Sequence, residues 1–295
     1  MIAQPESSVE SLALLGECPC WHQEKQLLYW LDILKKQVHI YNPQTKKNRT
    51  IDVGELVGGI APSSNGEVII GLESGFASLN LETEAIKILT PLEDDPPSKR
   101  FNDGKCDRLG RLFAGRIAIE EDRRESTGSF YSLNGQLQER KLLDHLNTPN
   151  GMGWSPDDST MYLIDSPTKK VFAFDYDLTT GDISNRRVAV TIPDTEGYPD
   201  GMTVDTEGMI WVALWAGFKV TRWNPDTGEL LQSISVPAPN VTSCTFGGAN
   251  MNELYITTAR KDMDEAALSQ YPQAGDVFRV KTDVIGLQTF EFAAF

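Results

Sequence analysis

Six residues stand at one recurring place in a repeated motif: Glu17, Gly58, Asn102, Asn150, Asp200 and Ser243. Four of them carry a carboxylate or an amide oxygen, the donors that a hard divalent cation takes. Two carboxylates and two amides aimed at one small space would lose solvation and repel one another unless a cation compensated them. The absence of histidine or thiolate from the set favours Ca²⁺ or Mg²⁺ and leaves Mn²⁺, Fe²⁺ and Zn²⁺ open. His22, His39 and His145 fall outside the recurring position, and no GxSxG elbow occurs, so neither a histidine-based triad nor an ordinary serine hydrolase is expected. Taken singly, each polar residue reads as a strand cap or an Asx turn, which Asn150-Gly151 and Asp200-Gly201 suit well. Only their recurrence argues for a site.

The elements that must bring them together follow from the period. Asp200 opens DGMTVDTEGMIWVALW, an alternating strand, a Gly turn and a second apolar strand. Asn102 opens NDGKCDRLGRLFAGR, Asn150 opens NGMGWSPDDSTMYLID and Gly58 opens GGIAPSSNGEVIIGL, while Glu17 and Ser243 begin ECPCWHQEKQLLYWLD and SCTFGGANMNELYITTA. The openings lie 41 to 50 residues apart, the length of a four-stranded propeller blade. Each copy runs on into a second hairpin, as in VFAFDYDLTTGDI and VTRWNPDTGEL. No stretch has a convincing apolar pattern at helical spacing, so the chain reads as all-β, a six-bladed β-propeller of four-stranded antiparallel blades in one domain over residues 1–295. The first motif starts roughly 16 residues in, so the N-terminal segment is expected to complete the last blade's sheet and protect its edge. In that ring the opening residues converge at one mouth of the central channel.

Composition limits the partners. The formal net charge of −15 would repel nucleic acid and anionic membrane surfaces. The N-terminus lacks the basic and apolar pattern of a secretory signal and no run reaches the length of a membrane span, so a cytoplasmic protein is expected. Cys18, Cys20, Cys106 and Cys244 lack CxxC spacing and read as buried reduced thiols.

At LGECPCW, RFNDGKCDRLGRLFAG, NGMGWSPD, YPDGMTVDTEGMIWVALW and SCTFGGANMNELYITTAR the chain resembles the SMP-30/gluconolactonase/regucalcin family, from about Leu15 through the last blade. The resemblance implies a six-bladed propeller binding one divalent ion through Glu17, Asn150 and Asp200, with substrate contacts by Arg100, Asn102 and Glu120. Many relatives carry Gly where this chain has Cys18. The activity implied is hydrolysis of a sugar lactone, an aldonolactone, to its acid: the cation polarises the lactone carbonyl, and Asp200 serves as ligand alone or also as the base that takes the proton of the attacking water. Alternatives are a metal-dependent esterase or organophosphate hydrolase, and a non-catalytic calcium-binding regulator. Trp215 and Phe218 are candidates for an aromatic wall at the mouth, and the loops Leu92–Lys99 and Glu120–Ser126 for lids.

Overall fold

The computed structural model describes residues 4–92 and 98–294. Residues 93–97, within the loop read as a lid, lie outside the described residues. Six four-stranded antiparallel sheets follow one another along the chain. Their first strands, Gly16–His22, Val57–Pro62, Lys99–Cys106, Pro149–Trp154, Tyr198–Val204 and Asn240–Gly247, each contact the next, and the sixth contacts the first. These inner strands close a ring, so the sheets are the blades of a six-bladed propeller.

Burial follows that geometry. The inner strands of blades 1, 2, 4 and 6 are buried at every position, whereas outer strands such as Ile86–Pro91 are mostly exposed. Aromatic side chains fill the space between blades, as where Trp21 of blade 1 stacks on Tyr255 of blade 6 with ring centroids 5.5 Å apart. In each blade the turn after the inner strand passes through left-handed backbone, at Gln26, Gly66, Gly110, Asp158, Gly208 and Met251. Three of the six are glycine, which adopts that conformation without strain.

The N-terminal strand Glu6–Val9 pairs antiparallel with Val277–Lys281 and forms the outer edge of blade 6, with Glu6 opposite Arg279. The ring is thus closed by its two chain ends. Beyond Lys281 the chain crosses the far ends of the inner strands, bridging to Asp205 through Gly286 and to Ser63 through Phe292, which is fully buried. A single short α-helix, Glu265–Gln270, interrupts blade 6 among the described residues, its N-terminus capped by Asp264, whose carboxylate accepts from the Ala267 N–H at 2.8 Å.

Candidate functional site

Every inner strand carries a one-residue register shift at one level: between Glu17 and Cys20, Val57 and Ile60, Phe101 and Gly104, Pro149 and Met152, Pro199 and Met202, and Val241 and Ser243. Such a bulge inserts an unpaired residue, bends the strand and re-aims a side chain. Asn102, Asn150 and Asp200 are the first residues within their bulges. Glu17 is the last paired residue before its bulge and Ser243 the first paired residue after its own. The six openings are therefore not strictly equivalent, and Glu17 reaches the others with a side chain one methylene longer than Asp.

The glycines following Asn150 and Asp200 serve close packing. A Cβ on Gly201 would lie 2.0 Å from the Ser243 hydroxyl and one on Gly151 2.5 Å from the Met202 nitrogen. The crowding also explains why blade 2 offers no donor: a Cβ on Gly58 would lie 2.1 Å from the Phe101 carbonyl oxygen.

Glu17, Arg100, Asn102, Asn150 and Asp200 line one cavity of about 350 Å³. All five are buried. Two further carboxylates hold the strand entries. Asp32 accepts from the Leu14 and Leu15 N–H groups at 2.9 and 3.1 Å, just before the strand that carries Glu17. Asp165 accepts from the Thr148 N–H at 2.8 Å and from the Asn147 side-chain amide at 3.0 Å, just before the strand that carries Asn150. Sequence reading passed over both, although each ends the second strand of its motif, in LLYWLD and TMYLID.

Within the cavity the Asn150 amide nitrogen donates to Asp200 Oδ1 and to the Ser166 hydroxyl, the latter at 3.1 Å. Its Oδ1 is buried and has no hydrogen-bond partner among the described residues. Glu17 Oε2 accepts the Cys18 N–H at 2.9 Å. Cys18 has left-handed backbone, φ 48°, a conformation that glycine adopts at no steric cost. Its Sγ accepts the Gly59 N–H at 3.4 Å and donates to the Asn102 carbonyl at 3.5 Å, so it ties together the bulges of blades 1, 2 and 3. All four cysteines are buried and free.

Burial raises the Glu17 carboxyl well above its ordinary range, reinforced by the charges of Asp200 and Asp103. Burial likewise raises Asp200, opposed by the Asn150 amide and reinforced by Asp103. Asp103, which sequence reading did not single out, is buried beside them and lines a smaller space behind the cavity together with Cys18, Lys105 and Ser243. Arg100 donates at 2.8 Å to the Phe101 carbonyl and at 2.9 Å to Asn102 Oδ1. Burial, with Arg124 nearby, lowers its guanidinium to about 10.

Among the described residues no three His, Cys, Asp or Glu side chains are grouped as a metal cage. The donor set here has two carboxylates and an amide oxygen instead. It fits a hard divalent cation: a positive ion would restore both carboxylates to their charged form and give the orphaned Asn150 oxygen a partner.

The mouth differs from expectation in two places. Glu120 does not reach the cavity; it precedes a 3₁₀ turn, Glu121–Arg123, and its carboxylate turns outward to Arg123 at 2.8 Å. Glu121 lines the cavity in its place and meets Lys261 of blade 6 at 2.6 Å. Trp215 lines the cavity as expected, but Phe218 does not and packs edge-on against Tyr271 instead. Tyr198, assigned no role from sequence, lines it beside Trp215.

Comparison with known proteins gives the family and the fold. The family model described as SMP-30/Gluconolactonase/LRE-like region matches residues 15–260. The chain is 38% identical over 284 residues to a Bacillus subtilis protein named "Putative sugar lactone lactonase YvrE", covering 96% of this chain and 97% of that one. It is also 38% identical to regucalcin of Oryctolagus cuniculus, covering 94% of each. The crystal structure of a calcium-binding protein, regucalcin, from Agrobacterium tumefaciens superimposes with a TM-score of 0.93 at 26% identity, covering 99% of this chain and 97% of that one. A family match over most of the chain, joined to full-length relatives and to the same ring of blades, places this protein in the SMP-30/gluconolactonase/LRE-like family.

Proposed function

We propose that the chain hydrolyses a sugar lactone, of the aldonolactone class, with a divalent cation held by Glu17, Asn150 and Asp200. The observation that carries this reading is the unpartnered Asn150 oxygen beside two buried carboxylates in a cavity that also presents Arg100 and Asn102. The full-length relative named for sugar lactone hydrolysis supports it.

A cation there supplies Lewis acidity, polarising the lactone carbonyl as negative charge develops on its oxygen. The remaining work falls to the chain. Arg100 is fixed by the Phe101 carbonyl and Asn102, both through Nη1, and its other N–H groups, with no hydrogen bond to the described residues, would hold the lactone oxygens or a sugar hydroxyl. Asp200 Oδ1 accepts from Asn150, and the carboxylate, with acceptor capacity left on both oxygens, would both hold the cation and take a proton from the attacking water. The water oxygen bonds to the carbonyl carbon, the ring C–O bond breaks, and the ring oxygen leaves as a hydroxyl after receiving that proton.

The Agrobacterium tumefaciens structure described as a calcium-binding protein, regucalcin, leaves open a second reading, in which this chain binds calcium without catalysis. One experiment separates the two. The protein is stripped with a chelator, and proton release from a panel of aldonolactones is followed above spontaneous hydrolysis, before and after single divalent metals are restored. Hydrolysis lost on chelation and regained with metal is the expected result. Metal binding without turnover of any lactone would leave the calcium-binding reading, and turnover confined to simple esters or organophosphates would replace the substrate.

A further inference from the structure

Tyr198 and Trp215 are directly opposite each other on the first two strands of blade 5. Both line the cavity, and Tyr198 precedes Asp200 by two positions on the same strand. Tyr198 is 48% exposed, high for an aromatic side chain beside such a buried polar centre. Each ring lies under an ammonium group: Lys169 Nζ is 4.6 Å from the Tyr198 centroid and Lys261 Nζ is 5.8 Å from that of Trp215. These lysines are themselves anchored, Lys169 to the Asp194 carbonyl at 2.9 Å and Lys261 to Glu121 at 2.6 Å. Cation–π contact of this kind helps to hold a ring in place.

Blade 5 thus lines the cavity with two aromatic rings, while blade 3 lines it with the donors and acceptors of Arg100 and Asn102. A sugar ring has the matching division, with C–H groups on one face and hydroxyls around its edge. Burying the C–H face against an aromatic ring is favourable, and the donors satisfy the hydroxyls.

We propose that Tyr198 and Trp215 form a stacking platform that selects substrates by ring shape, holding the C–H face of a cyclic sugar derivative while Arg100 and Asn102 take its hydroxyls. The inference deepens the lactonase reading and rests on it for the identity of the substrate. It has a consequence for turnover. Opening the lactone turns a flat ring into a flexible chain, which must lose conformational freedom to stack again. The platform therefore holds the cyclic substrate better than the acyclic acid and favours product release.

The test uses ligands with nothing to hydrolyse. Methyl β-D-glucopyranoside and the acyclic D-glucitol are titrated into metal-loaded protein, with calorimetry for affinity and tryptophan emission for location. Trp215 lines the cavity, whereas Trp21, Trp30, Trp154, Trp211 and Trp223 are all buried. The cyclic polyol is expected to bind about tenfold more tightly than the acyclic one and to change an emission component that is missing in Trp215→Phe. Tyr198→Ala should weaken cyclic-polyol binding by a similar factor and raise KM for the lactone more than it lowers kcat, with Tyr198→Phe restoring both. Equal affinity for the two polyols, no binding of either, or wild-type affinity in Tyr198→Ala would overturn the platform. Selective, Tyr198-dependent polyol binding in a protein that hydrolyses no lactone would keep the platform and remove the hydrolytic reading.

Discussion

Asn150 and Asp200 occupy the same bulge position on neighbouring blades, and the amide nitrogen of Asn150 donates to Asp200 Oδ1. That bond, with a second to Ser166, fixes the amide so that its oxygen is left buried and unpartnered. An orphaned buried acceptor is costly unless a ligand satisfies it. Calcium affinity, measured by calorimetry on chelator-stripped protein, should fall by about two orders of magnitude in Asp200→Asn, because ligand charge sets affinity. Asn150→Ala should lose about tenfold, as it removes a neutral donor. Wild-type affinity in both variants would move the metal elsewhere.

The Asp165 carboxylate is buried and collects N–H groups from Asn147 and Thr148 at the entry to the Asn150 strand. Replacing it by Ala strands those donors in the interior. The expected loss is about 2–4 kcal/mol in urea unfolding, with weaker calcium binding because the Asn150 strand loses its anchor. A stability loss with unchanged calcium affinity would make Asp165 a structural residue alone.

The ring was legible because a blade repeats its hydrophobic alternation and turn chemistry along the sequence, and because six openings share one residue pattern. Cavity residues on the repeated inner strands, Glu17, Asn102, Asn150 and Asp200, were found for the same reason. Most of what escaped at the mouth lies outside the repeat. Glu121 was missed in favour of Glu120 because the two are adjacent on an irregular turn, and only its backbone path decides which carboxylate faces inward. Lys261 and Arg124 sit in connections that no period governs. Tyr198 does lie within a recognisable motif, but its exposure depends on how blade 5 meets the cavity, and alternation along one strand does not encode that.

Glu121 and Lys261 belong to blades 3 and 6, which face each other across the ring axis, and their 2.6 Å pair spans the mouth of the cavity. Lys261 also pairs with Asp262, and its ammonium is held above its ordinary range by both carboxylates despite partial burial. The Glu121 side chain is 57% exposed, and pairs of that kind contribute about 0–1 kcal/mol. Lys261→Met should accordingly leave Tm within about 2 °C. Its effect should instead be read in access: calcium release to excess chelator should become faster. High salt should speed release in the wild type, by screening the pair, and do so less in the variant. Identical release rates with the same salt response would show that the pair does not restrict the mouth.

His39 supplies a pH dependence separate from the cavity. Its ring stacks on Trp30 with centroids 3.8 Å apart, and its Nδ1 lies 3.0 Å from the Asn48 amide nitrogen and 3.1 Å from the Thr50 hydroxyl. Asn48 Oδ1 already accepts from Trp30 Nε1, so the Asn48 nitrogen donates to Nδ1 and the neutral ring carries its proton on Nε2, which is buried without a partner among the described residues. A second proton on Nδ1 would displace that donor and place a charge in the interior. Burial accordingly lowers His39 from its ordinary value of 6.5 to about 4, with Asp32 opposing and Lys35 reinforcing the shift. Because the folded value lies below the unfolded one, the unfolded chain takes up the proton first as pH falls. The contribution of neutral His39 to stability is complete above pH 6.5 and declines between 6.5 and about 4. Compared with His39→Phe, which does not titrate, the wild type should lose about 2 kcal/mol between pH 7 and pH 5 in urea unfolding. Parallel pH profiles for the two proteins would mean that His39 is protonated in the folded state at its ordinary pH.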